Sequence, residues 1–240
     1  MSQQRAPSKS STETKDRILS AAETLFMDQG FSTTSLRAIT AKAKVNLAAV
    51  NYHFGSKDGL VREVLDRRLG PLNQARLEQL DRLEAESQGK ALPVEKVVEA
   101  MVAPALHLSR DPLAGGATFL RLLGRALAEP ADYLRNYLPT HYRDVVLRFR
   151  NALLKSLPNL PEVEVVWRLH FTIGAMAHAM VRNDALQLIA ATDTDTSDDA
   201  EMIVRRLVPY LSAGLKAPAP VSMTRPAAVK SSNGGTRRVA

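Results

Sequence analysis

The sequence predicts an all-α protein: an N-terminal three-helix unit with a helix-turn-helix outline, then a larger C-terminal helical domain. Three observations carry this. Val, Ile and Leu recur at three- and four-residue spacing, no two-residue alternation is sustained, and Ser, Thr or Asn stand where helical periods begin. The first helix shows the pattern plainly, with Ile18, Ala21, Ala22, Leu25 and Phe26 on one stripe and Gly30 as its stop. Thr34 is placed to cap a second helix carrying Leu36, Ile39 and Ala43. Asn46 is placed to cap a short third helix over about 47–53. Ser56 caps a long fourth, from Lys57 to about Gln79, with a kink or break expected at Gly70-Pro71.

The polar stretch "EAESQGKALP" separates this block from helices expected at about 93–108, 115–127, 130–156, 161–190 and 199–215. The breaks fall at Asp111-Pro112, Pro130, Pro158 with Pro161, and "TDTDTSDD", while Pro104, Pro139 and Pro209 should bend the helices holding them. From Ala217 the chain turns to Pro, Ala, Ser, Gly and basic residues, the composition of a disordered tail. The expected organisation is a flexible segment 1–12, a helix-turn-helix unit 13–60 with a linking helix to about 80, a helical domain 81–216, and a basic tail 217–240.

Composition narrows the function classes. With 45% hydrophobic residues, 240 residues can bury a sizeable core. The chain has no cysteine, which excludes disulfides and thiolate metal sites and suits a reducing cytosol. The opening "MSQQRAPSKSSTETKDR" lacks the apolar run of a signal peptide, and no run approaches the ~18 residues of a membrane span. The expected location is therefore cytoplasmic, with no membrane partner. The net charge of +7 is uneven: residues 1–60 hold 8 Lys/Arg against 5 Asp/Glu, residues 61–215 hold 19 against 20, and residues 216–240 hold 5 against none. Most of the excess sits in the tail, so the overall charge alone says little about nucleic acid. The smaller excess at the N-terminus matters more, because it coincides with a motif.

The second and third helices are joined by a short link around Lys44-Val45, the outline of a helix-turn-helix whose second helix enters the DNA major groove. Leu47, Ala48 and Ala49 are small or apolar, which lets the backbone approach base edges and touch thymine methyls. Val50 and Phe54, four apart, face inward. Asn51, Tyr52, His53 and Lys57 are placed to reach phosphate oxygens. Ser56 and Lys57 open the next helix, whose free N–H groups add an anion site, and Thr33, Thr34 and Ser35 open the second helix toward the opposite phosphate wall.

The run "ILSAAETLFMDQGFSTTSLRAITAKAKVNLAAVNYHFGSKDGL", with its AA-x-x-LF, GF-x-x-TS, small-residue turn and Y-x-F-x-S-K, resembles the DNA-binding domain of the TetR family of transcriptional regulators. The family commonly has Gly in the turn where this chain has Lys44, and Tyr, a phosphate contact, where Asn51 stands. If the turn needs a positive φ, Lys44 costs about 1 kcal/mol there, part of which a phosphate contact recovers. The resemblance implies a homodimer on a palindromic double-stranded operator, with a C-terminal domain that dimerises and binds a small effector.

That second region has its own signals. Val163, Trp167, His170, Phe171, Gly174, His178 and Val181 form one stripe, and Met202, Ile203, Leu207, Tyr210, Leu211 and Leu215 form another. Two such helices can build a two-fold four-helix interface or close the monomer core. "FLRLLGRAL", "YLRNYL" and "PEVEVVWRLHFTIGAMAHAM" resemble the PsrA-type branch of the family, repressors that respond to long-chain fatty acids or their coenzyme A esters. The resemblance implies an apolar effector tunnel lined by Phe119, Leu122, Leu123, Trp167, His170 and Phe171, with Arg121 or Arg125 meeting a carboxylate. Another apolar or aromatic effector, and an architectural DNA binder, are the alternatives.

Enzyme chemistry finds no constellation. None of the five His (53, 107, 141, 170, 178) has a second His four residues on, Gly115-Gly116 lacks the signature of a phosphate loop, and no G-x-S-x-G elbow exists. Asp193, Asp195, Asp198 and Asp199 lack the Gly and terminal Glu of a calcium loop. No metal or cofactor is expected.

Overall fold

The computed structural model describes residues 9–110, 132–180 and 200–220, with the single positions 122, 124, 126 and 189. Among the described residues the regular structure is helical, without strands: α1 Lys9–Gln29, α2 Leu36–Ala43, α3 Leu47–Phe54, α4 Lys57–Glu86, α5 Val94–Arg110, α6 Asp132–Ser156, α7 Glu162–Met180 and α8 Ala200–Lys216. The helix expected at 115–127 lies outside the described residues, save that Leu122, Gly124 and Ala126 are helical and Leu122 and Ala126 are buried. The "TDTDTSDD" connector and the tail beyond 220 also lie outside them.

The short helices of the N-terminal unit are held by their ends. Gly30, at φ 91°, stops α1 and donates its N–H to the Phe26 carbonyl at 2.9 Å. Ser35, Asn46 and Ser56 cap α2, α3 and α4, accepting from the N–H groups of Ala38, Ala49 and Gly59 at 3.1, 2.9 and 3.1 Å. The cap of α2 is thus Ser35 and not Thr34. Helix α1 starts at Lys9, so residues 9–12, expected in a flexible segment, are helical, and residues 1–8 lie outside the described residues. Helix α4 runs unbroken through Gly70-Pro71 to Glu86, against the expected break. Both residues are exposed, so the carbonyl that loses its partner to proline lies on the side facing water.

Two parts of the chain share α4. It packs on α1 and α3 near its start and on α5 and α6 further along, while α8 packs on α5 and α7. Buried apolar residues form one continuous cluster from Ile18 to Leu215, with Phe26, Phe31, Leu65, Leu72 and Phe149 among its largest members. Among the described residues three arginines are buried or nearly so within this framework. Arg68 of α4 grips Glu23 of α1 with both ends of its fork, Nε to Oε1 at 2.7 Å and an Nη to Oε2 at 2.9 Å. Arg168 of α7 clamps the end of α8, donating to the carbonyls of Leu215, Ala217 and Pro218 at 2.8, 2.5 and 2.9 Å. Arg76 of α4 donates its Nε to the Met101 carbonyl of α5 at 2.8 Å.

Helix α7 is apolar around most of its circumference. Its inner face is Val165, Arg168, Leu169, Thr172 and Met176, whereas Val163, Val166, Trp167 and Phe171 are exposed. The stripe read from the sequence is therefore its outer face. In α8, Leu207, Leu211 and Leu215 close the monomer core and Tyr210 points outward.

The Glu23–Arg68 pair, with side chains only 7% and 12% exposed, should dominate the attachment of α1 to α4. Glu23→Ala is expected to lower the urea-unfolding free energy by about 3 kcal/mol, because it strands a buried guanidinium. Glu63→Ala, which breaks the open pair with Lys15, should cost under about 1 kcal/mol.

Candidate nucleic-acid interface

Helix α3 is eight residues long and is fixed on three sides. Val50 and Phe54 are buried, and they anchor it to the rest of the unit. Asn46 closes its start, and Gly55 closes its end at φ 72°, donating to the Asn51 carbonyl at 3.0 Å. Immediately beyond, a Cβ on Gly59 would lie 2.0 Å from the Phe54 carbonyl oxygen, so only glycine lets the first turn of α4 come this close. The GSKDG run is thus a tight joint between two helices.

The turn before α3 depends on Lys44. It sits at φ 54°, ψ 50°, the left-handed conformation, and its N–H turns back to the Ala41 carbonyl at 3.3 Å. The Val45 N–H follows to the Thr40 carbonyl at 3.0 Å. A lysine here bears the steric penalty of its Cβ, and it is exposed two residues before the cap of α3.

Of the α3 residues singled out in the sequence, four are exposed and two are half-buried. Leu47 is 50% exposed and Tyr52 81%, and Ala48 and Asn51 are also open. Asn46 is exposed too, although its side-chain oxygen is already engaged as the cap. Ala49 and His53 are half-buried. The His53 ring lies edge-on to Tyr52 with centroids 5.0 Å apart, and 6.0 Å from Phe54, bridging the outer and inner faces. Apolar Leu47 and aromatic Tyr52 standing this far into water, on a helix held so firmly, form a presented surface and not a packing remnant.

Three of the expected contact residues turn out to hold the unit together. Thr34 is buried, and its hydroxyl donates to the Gly30 carbonyl at 2.7 Å, with the Leu25 carbonyl at 3.2 Å. Its position excludes a phosphate contact, because the end of α1 needs that donor. Thr33 is exposed, but its hydroxyl donates back to the Gln29 carbonyl. Lys57 reaches the Ser32 carbonyl at 3.1 Å, tying the start of α4 to the turn after α1. Ser35 is exposed, and its oxygen accepts from Ala38, which leaves its hydroxyl proton to donate outward.

The expected effector residues on α7 do not face a tunnel within the chain. Trp167 is 55% exposed and Phe171 61%, and with exposed His170 they form an aromatic cluster on the outer face of α7, the Trp167 and Phe171 centroids 5.8 Å apart. A ligand tunnel needs them turned inward, where Leu169 and Thr172 stand instead. Leu122 is buried in the core, while Phe119, Arg121, Leu123 and Arg125 lie outside the described residues. The sequence reading missed Arg76. Its signal was a charged residue on the stripe Leu69, Leu72, Arg76, Leu80.

A family profile described as "Bacterial regulatory proteins, tetR family" matches residues 18–64, which hold the whole of α2 and α3. A second, "Tetracyclin repressor-like, C-terminal domain", matches residues 99–214, so the two profiles together take in about two thirds of the chain. The chain belongs to the TetR family. Over 49 residues it is 53% identical to an HTH-type transcriptional repressor of Mycobacterium tuberculosis, covering 20% of this chain and 26% of the repressor. Such matches span only about a quarter of the length of these curated relatives. The regulator UidR of Escherichia coli is 25% identical over 147 residues, 60% of this chain and 68% of UidR. In fold, this TetR-family chain is similar to the fatty acid degradation regulator FadR of Bacillus halodurans. The TM-score is 0.55 at 14% identity, over 90% of this chain and all of that one. Among the described residues no helix is long and apolar enough to cross a membrane, and no group of three metal-ligating side chains occurs.

Lys44→Gly should raise the unfolding free energy by about 1 kcal/mol, the steric penalty at φ 54° less the extra chain entropy of glycine. Chemical denaturation compares the two proteins, and a less stable variant would show that the lysine side chain itself supports the turn.

Proposed function

We propose that the protein is a dimeric transcriptional regulator, acting as a repressor on a palindromic operator and released from it by a small apolar effector. The observation that carries the DNA reading is the exposed face of α3, where Leu47, Ala48, Asn51 and Tyr52 are open on a helix anchored by Val50 and Phe54. A helix of this length fits the major groove with its N-terminal residues toward the bases. Leu47 and Ala48 supply apolar contact to thymine methyls, and Asn51, Tyr52, His53, Ser35 and Lys44 supply hydrogen bonds and charge for the flanking phosphates.

Dimerisation is supported by the outer face of α7. Val163, Val166, Trp167 and Phe171 are 46–61% exposed along one helix, and Tyr210 of α8 is 71% exposed. Leaving so much aromatic and branched surface in water is unfavourable, and exposed Gly174 lets a second copy of α7 approach closely. A two-fold axis through this face would place two reading heads on adjacent grooves, with half-sites about one DNA turn apart.

The effector is read as a long-chain fatty acid or its coenzyme A ester, on the strength of the sequence resemblance in the second half. Similarity to the fatty acid degradation regulator is one of fold alone. The same arrangement would serve a repressor of efflux or catabolic genes that senses another apolar or aromatic molecule.

Footprinting on DNA selected from a random pool should reveal a palindrome protected over two half-sites. Trp167→Asp should turn the dimer into a monomer by light scattering and weaken operator binding by at least about tenfold, since each head then binds without its partner. A Trp167→Asp protein that remains dimeric would remove α7 from the interface. In a release assay, long-chain acyl compounds should free the operator where short-chain ones do not, and equal effects at every chain length would exclude a lipid effector.

A further inference from the structure

Helix α4 carries an arginine where its buried stripe otherwise has leucine. Arg76 is 6% exposed, between Leu72 and Leu80 on the face toward α5 and α6. Its Nε donates to the Met101 carbonyl, and no carboxylate pairs with it among the described residues. One turn back on the same helix, the buried Asn73 Oδ1 has no hydrogen-bond partner. Neither does the hydroxyl of Tyr142 on α6, a residue only 8% exposed. Burial lowers the Arg76 guanidinium to about 10, with Tyr142 working the other way. Burial also pushes the Tyr142 phenol up, with Arg76 opposing, so it remains a neutral O–H.

Unsatisfied buried polar atoms are rare in native interiors, and an unpaired buried cation is rarer. Here two orphan atoms, and a guanidinium with no carboxylate partner among the described residues, lie where α4, α5 and α6 meet, three helices that also bury Leu72, Met101, Ala105, Val145 and Phe149. Elsewhere the chain treats buried arginine differently: Arg68 has Glu23, and Arg168 has three carbonyls beside Glu164.

We propose that Arg76 and Tyr142 form the binding site for the carboxylate of an otherwise apolar effector. The Arg76 Nη groups present the planar fork that a carboxylate accepts in pairs, and the Tyr142 hydroxyl donates to the same head group. Asn73 Oδ1 accepts from a water or hydroxyl beside it. A hydrocarbon tail would follow the head group into the apolar interior that these three helices bury. The carbonyl of an ester or thioester is neutral where a carboxylate is charged, so the site selects a free acid over an ester that sets only its carbonyl against Arg76. This inference rests on the effector-responsive reading above, and it gives Arg76 the role that the sequence suggested for Arg121 or Arg125.

Calorimetric titration of the full chain with dodecanoate, methyl dodecanoate and benzoate tests the site. Wild-type protein should bind dodecanoate at least about tenfold more tightly than its methyl ester, the effect of one charge-assisted pair. Arg76→Met should abolish that preference while the unliganded protein melts at the same temperature or higher, because a buried unpaired charge has been replaced by an apolar chain. Tyr142→Phe, which removes only an orphan hydroxyl, should weaken acid binding about threefold or more without loss of stability. Equal binding of acid and ester to the wild type overturns the site and leaves a lipid effector standing. So does an acid preference that survives both substitutions. Arg76-dependent binding of benzoate without binding of dodecanoate supports the site and removes the long-chain effector. Binding of neither acid overturns the site.

Discussion

The fold depends on α4 being buried along nearly its whole length by two different sets of partners. Leu60, Val61, Val64 and Leu65 serve its first half, and Leu69, Leu72, Arg76 and Leu80 its second. Arg68 ties it to α1 and Arg76 ties it to α5, eight residues and so about 12 Å apart along the helix. An α-helix supported in this way moves as a rod. The cap at Ser56 and the tight joint at Gly59, which set where α3 stands, are therefore mechanically continuous with the part of α4 that meets α5 and α6. No separate linker stands between the exposed face of α3 and the stretch of α4 that is buried against α5 and α6.

Burial of charge distinguishes the parts of the molecule. Where the chain needs rigidity it buries arginine with full compensation, as at Glu23–Arg68 and around Arg168. Where α4 meets α5 and α6 it buries arginine with one carbonyl. That arrangement leaves most of the desolvation cost of the guanidinium uncompensated within the described residues. The outer face of α7 makes a parallel argument in apolar terms, since its aromatic cluster is complete yet uncovered in a single chain.

Much of this was legible in the sequence, for definite reasons. Caps such as Asn46 and Ser56 announce themselves because only a short polar side chain can reach the first free N–H groups. Val50 and Phe54 were separable from Leu47 and Tyr52 because helical spacing sorts faces. Lys44 stood out as the residue in a place usually held by glycine, and its positive φ is the conformation that place demands. Other features depend on tertiary contacts that spacing does not record. Thr34 and Ser35 are both good caps, and only the carbonyls of Gly30 and Leu25, brought together at the end of α1, recruit Thr34 inward. The α7 stripe was read correctly as apolar, but a helix that is apolar on two faces does not say which one the monomer covers. Gly70-Pro71 failed to break α4 because packing on both sides outweighs one missing hydrogen bond.

Arg168 has a further bearing on the end of the chain. By holding the carbonyls of Leu215, Ala217 and Pro218, it fixes the direction in which the polypeptide leaves α8. Beyond that clamp the sequence contains Arg225, Lys230, Arg237 and Arg238 and no acidic residue. The chain therefore enters that basic stretch from a fixed point on the body, on the side of α7. A reporter grafted just after Pro218 would start from that fixed point, with the arginine clamp standing between it and the helical body.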